Sequence, residues 1–151
     1  MNRIKFVLIA VFALTGSLVV SQSENAAAHN KMQAIYNQFC KFAEAKNVEG
    51  MWKFVDKSCV MVEADGSKMG AAAAKKEMVD IFKVMKDIKC RVKVDHVSVD
   101  GPEVCAWVTM SVSSKFKEGN KWVPFSFTAK YAETWRNFGG NWKVVYAQAL
   151  P

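Results

Sequence analysis

The period of the hydrophobic pattern changes once along the chain, near Cys90. Before it the period is helical. Met32, Ile35, Tyr36, Phe39, Phe42 and Ala43 recur at three- and four-residue steps and predict a helix over residues 30–46. Asn47 can cap a second, short helix running to Phe54 or Val55, with Met51, Trp52 and Val55 on its buried side. Residues 59–65 then alternate as a strand. Cys59, Met61, Glu63 and Asp65 share one side; Val60, Val62 and Ala64 share the other. Asp65-Gly66 is a turn signal. An alanine-rich helix is predicted over 70–87, with Ala74, Met78, Ile81, Phe82 and Met85 as its stripe.

From Cys90 onward the period is two. Val92 and Val94 alternate with Arg91 and Lys93, and the apolar parity then moves to Val97 and Val99, which predicts a bulge near Asp95-His96. A turn at Asp100-Gly101-Pro102 leads to a strand with Val104, Ala106, Val108, Met110 and Val112 on one face. After Glu118-Gly119-Asn120, Val123, Phe125, Phe127, Ala129, Tyr131 and Trp135 share one face of a long strand. Phe138-Gly139-Gly140-Asn141 closes a hairpin onto a last strand over 142–148. Helices followed by a meander of long antiparallel strands predict an α+β fold, with the helices packed on one face of a curved sheet. No linker or repeat divides it.

The first residues are set apart from this plan. Arg3 and Lys5 precede an uncharged apolar stretch over 6–20, broken only by Thr15, Gly16 and Ser17. About 15 residues suit the core of a signal peptide and are short for a membrane span. Ala26-Ala27-Ala28 offers a cleavage site before His29, and Val19-Val20-Ser21 a second. The expected organisation is a leader over 1–28 and one domain over 29–151, secreted or periplasmic, with no stable membrane insertion after cleavage. An uncleaved N-terminal anchor is the alternative.

Composition adds three constraints. Ten Phe, five Trp and three Tyr are enough to fill a core without metals or staples. A formal charge of +7 favours contact with acidic surfaces. The lysines are scattered along the sequence rather than clustered with aromatics, and with export this argues against nucleic acid as a partner. Cys40, Cys59, Cys90 and Cys105 allow three pairings, and four buried thiols are equally compatible. Two histidines and no paired carboxylate spacing give no reason to expect a metal site or cofactor. No nucleophile-elbow, P-loop or dinucleotide fingerprint occurs.

The closing segment Ala132-Glu133-Thr134-Trp135-Arg136-Asn137-Phe138-Gly139-Gly140-Asn141-Trp142-Lys143-Val144-Val145-Tyr146 resembles the terminal hairpin of the nuclear transport factor 2-like superfamily. Glu44-Ala45-Lys46-Asn47-Val48-Glu49-Gly50, followed by Phe54-Val55-Asp56, resembles its first interhelical turn and second helix. The likeness extends over the chain after residue 28 and is nearest the SnoaL-like and ketosteroid isomerase-like group. It implies a cone-shaped, cystatin-like fold with an apolar cavity.

The same resemblance implies sites. It places an acid-base carboxylate at Glu63, against a Glu63 that with Asp65 simply faces solvent near a strand end, and a second acidic group near Glu133. The superfamily's helix tyrosine falls at Phe39, which cannot donate a proton; Tyr36 lies one turn earlier. The catalytic set is therefore incomplete. The expected function is binding of a small apolar or amphipathic molecule by Tyr36, Phe39, Met61, Phe127, Tyr131 and Trp135. An isomerase-like enzyme using Glu63 and a non-catalytic dimeric assembly domain are the alternatives. His96 beside Asp95 is a further acid-base candidate, against an ordinary surface histidine. Trp107 and Trp122, off the apolar strand faces, suggest a homodimer through the sheet face.

Exported protein should begin near Gln22, Glu24 or His29 when its intact mass is measured. Soluble cytosolic protein that retains Met1 would contradict the leader.

Overall fold

A computed structural model describes residues 24–151, so Arg3, Lys5 and the apolar stretch lie outside the described residues. Helix α1 is described from residue 24 and ends at 44. It stops earlier than its periodicity suggests because Lys46 adopts a positive φ of 55°. Asn47 then caps α2 (Val48–Trp52) by accepting from the Gly50 amide at 2.8 Å. A Cβ on Gly50 would sit 2.5 Å from the Phe42 ring, so only glycine lets the two helices approach this closely.

Strand β1 (Val55–Val62) begins where the second helix was expected to end, and it stops before Glu63. The turn at Asp65-Gly66, with Gly66 at φ 83°, feeds a short strand β2 (Lys68–Gly70) that the sequence pattern did not reveal. Helix α3 (Ala71–Lys83) is shorter than expected. Lys46 reaches across to its C-terminus, where its ammonium donates to Phe82 O at 2.8 Å and also to Met85 O. Four long strands complete the chain: β3 (Met85–Asp100), β4 (Glu103–Glu118), β5 (Lys121–Phe138) and β6 (Asn141–Leu150).

The six strands form one sheet in the order β2-β1-β6-β5-β4-β3. The long strands are antiparallel neighbours, and the expected bulge appears as a register shift between Val94 and His96. One pairing departs from the antiparallel expectation: β1 runs parallel to β6, with Met61 opposite Ala147. The helical connection after β1 and the three hairpins that follow return the last strand to its side in the same direction.

Helix α1 packs on the concave face. Met32, Ile35 and Tyr36 join Val94, Ala106, Val108 and Trp135 in the main core; Ala43, Met51, Phe82, Met85 and Ile88 form a second cluster beside it. The same helix covers the open edge of β3. Gln33 donates to Val92 O at 2.8 Å and accepts from the Val94 amide at 3.0 Å, and Glu44 accepts from the Cys90 amide at 3.1 Å. A row of backbone groups that would otherwise invite another strand is thereby satisfied. A disulfide between Cys40 and Cys90 fastens helix to edge, while Cys59 and Cys105 are free thiols.

Peptide mapping without reductant should recover Cys40 joined to Cys90. Because 50 residues separate the pair, replacing both by Ala should lower stability by about 4 kcal/mol at most on the loop-entropy relation. A change within 0.5 kcal/mol would show that the bond does not constrain the fold (~0.5 kcal/mol being the ordinary effect of a surface substitution).

Candidate functional site

The concave face carries a polar network in its apolar floor. Glu133 and Trp135 project from the same face of β5, and Tyr36 reaches them from α1. The Tyr36 hydroxyl donates to Glu133 Oε2. The Trp135 indole N–H lies 2.9 Å from the Tyr36 oxygen and 3.1 Å from Glu133 Oε2. The Tyr36 and Trp135 rings meet edge to face at 5.4 Å. Both bonds to the carboxylate fall on Oε2, and Oε1 has no hydrogen-bond partner among the described residues.

Electrostatics follow from this geometry. Glu133 as a residue keeps some solvent contact, but its carboxyl group is desolvated. Burial raises its pKa, and the two donated hydrogen bonds only partly offset the rise. Burial, then the Glu133 charge, hold the Tyr36 phenol well above its ordinary value. The Cys59 thiol on the same face is pushed up to about 11, chiefly by burial, so it is inert as a nucleophile near neutral pH.

The structure brings some of the expected site residues together and separates others. Tyr36, Met61, Tyr131 and Trp135 all belong to the main core, with Met61 and Tyr131 partly buried at its margin. Glu63 lies on the same side, close enough that its charge, after desolvation, contributes to raising the Tyr131 pKa. Glu63 itself is exposed, as the solvent-facing alternative has it, because β1 ends at Val62 and the chain turns there, with the Gly66 amide donating to Glu63 O. Phe39 faces the second cluster, away from Glu133. Phe127 shares the concave face but is 38% exposed, next to Phe125 at 5.9 Å between ring centroids.

Sequence reasoning missed two features. Ser114 stands opposite Phe125 in the register; its hydroxyl is buried with no hydrogen-bond partner among the described residues. Glu133 was placed near the site, but its direct contact with Tyr36 spans 97 residues and has no local signal. His96 packs against Trp107 at 5.3 Å on the convex face, level with Ala132 in the register and on the opposite side of the sheet from this network. Two surface concavities lie elsewhere: about 410 Å³ beside Lys46, Val48 and Phe82, and about 150 Å³ beside Cys40, Glu44 and Cys90.

Helices on the concave side of a bent, mostly antiparallel sheet are the architecture of nuclear transport factor 2-like proteins. A conserved protein from Planctomyces limnophilus superposes with a TM-score of 0.72 at 8% identity, covering 83% of this chain and 98% of its own. A nuclear transport factor 2-like superfamily protein from Salmonella enterica serovar Typhimurium gives 0.66 at 10% identity, covering 83% and 91%. A protein with a cystatin-like fold from Caulobacter vibrioides gives 0.61 at 13% identity, covering 78% and 84%. Within that class, residues 32–149 match the SnoaL-like domain, and the chain belongs to this family. No curated protein matches it in sequence.

The raised Glu133 pKa has a definite sign. The folded state holds this proton more tightly than the unfolded chain, so the group lowers stability as pH rises from about 4.5 through its elevated native pKa. Glu133→Gln should therefore gain stability relative to wild type between pH 4 and pH 8 in denaturant titrations. Tyr36→Phe should cost about 1–3 kcal/mol and raise the Glu133 pKa further. A Glu133→Gln difference that does not change with pH would contradict the desolvated carboxyl.

Proposed function

We propose that the concave face binds a small apolar or amphipathic molecule. The observation that carries this reading is a row of aromatic side chains leading from solvent to a desolvated carboxyl. Phe125, Phe127 and Tyr131 alternate along β5 toward Glu133, and the first two are exposed although they share the core-facing side of the strand. Large apolar groups on a concave face that the protein's own helices leave uncovered are suited to a ligand's apolar body. Glu133 Oε1, at the inner end of this row, supplies a polar point at which a ligand could be oriented.

One observation favours a second reading, proton transfer. A carboxyl with a raised pKa beside a tyrosine is an acid-base pair in form. Against it, the Tyr36 hydroxyl is already engaged as both donor and acceptor. In this reading the working carboxyl is Glu133, with the exposed Glu63 at the rim. Export of the mature chain is part of the proposal. The leader pattern supports it, and so does the Cys40–Cys90 bond, which suits an oxidising compartment.

The neutral apolar fluorophore N-phenyl-1-naphthylamine tests the site. It should bind saturably, and Phe127→Ser or Tyr131→Ser should weaken it about tenfold or more, the equivalent of losing much of one aromatic contact. Trp107→Ser on the convex face should leave binding unchanged. Absence of saturable binding, or equal sensitivity to the convex substitution, would reject the concave face as the site.

A further inference from the structure

The lysines that look scattered in the sequence are gathered by the sheet. Register places Lys89, Arg91 and Lys93 of β3, Lys115 and Lys117 of β4, and Lys130 of β5 on the convex face, opposite the side that carries Tyr131 and Glu133. Lys86 joins them with its ammonium 4.4 Å from the Trp122 ring centroid. Two of these cations are neutralised locally, Lys93 by Asp95 and Lys115 by Asp87, each at 3.0 Å. Lys89, Arg91, Lys117 and Lys130 form no ion pair among the described residues.

What lies between the cations identifies the partner's chemistry. Ser111 and Ser113 of β4 and Ser126 and Thr128 of β5 face the same side, so a strip of hydroxyls runs between the β3 cations and Lys130. Ser111 and Thr128 already bond one another across the strands at 3.1 Å. Same-face residues on one strand recur about every 7 Å, and neighbouring strands lie about 4.8 Å apart. We infer that this convex face is a docking surface for an extended acidic polysaccharide. Its carboxylate or sulfate groups meet the cation columns, and its sugar hydroxyls meet the serine and threonine strip. An apolar protein partner or a lipid interior fits poorly, since the strip is polar. Single-stranded nucleic acid fits less well, because base stacking needs free aromatic faces. On this side Trp107 packs on His96, Trp122 carries the Lys86 ammonium and Tyr146 bonds Gln148, so each aromatic, though partly exposed, already has a partner.

Binding to polygalacturonate, heparin, neutral dextran and polyuridylate in low salt tests the inference on the full mature chain. The acidic polysaccharides should bind and dextran should not, with affinity falling as salt rises. Lys89→Ser/Arg91→Ser should weaken them on the order of tenfold. The off-face pair Lys53→Ser/Lys76→Ser, which removes the same charge, should change little, and thermal melts should show all variants folded. Three results would overturn it: no binding to either acidic polysaccharide, equal loss in the off-face pair, or polyuridylate bound more tightly than both. Self-association that buries this face and blocks the polysaccharides would overturn it as well.

Discussion

Tyr36 ties the first helix to the strand that forms the floor of the concave face. Its ring meets Trp135 edge to face, its hydroxyl accepts from that indole, and the same hydroxyl donates to Glu133. The rest of α1 follows from this attachment. Gln33 and Glu44 take up free backbone groups of β3, and Cys40, one turn after Tyr36, is bonded to Cys90 on that edge. The helix thus closes one side of the sheet and leaves the other half of β5 uncovered. The open aromatic row beyond Tyr131 is a consequence of where α1 lies.

Much of this plan could be read from period alone, and the exceptions share a cause. The alternation of Val104, Ala106 and Val108, and of Tyr131 and Trp135, gave the correct inward faces because strand parity is a local property. The parity change after Val94 located the bulge for the same reason. Direction is not local: an alternating strand reads identically in either sense, so the parallel pairing of β1 with β6 was invisible. Helix ends were misplaced where tertiary contacts decide them, as where Lys46 turns and binds the end of α3. β2, only three residues long, is too short to show a period.

The site was legible to a similar depth. Residues on the correct face were found, including Met61, Tyr131, Glu133 and Trp135. Their environments were not, because exposure depends on which elements cover them. Two carboxyls were candidates on one face, and only the structure separates them: Glu63 lies in solvent, while Glu133 is the carboxyl that burial perturbs. Parity also concealed a charge pattern. Basic residues placed at every second position look dispersed along the chain, yet they fall together on one surface once three strands are in register.

The concave face as a ligand site is the centre of this account, and the tryptophan side chains report on it directly. The Trp135 indole N–H is bonded within the floor, whereas Trp107 and Trp122 lie on the convex side. In a ¹⁵N–¹H spectrum titrated with a neutral apolar ligand, the Trp135 indole resonance should shift while those of Trp107 and Trp122 remain in place. Shifts confined to Trp107 and Trp122, with Trp135 unmoved at saturation, would contradict it.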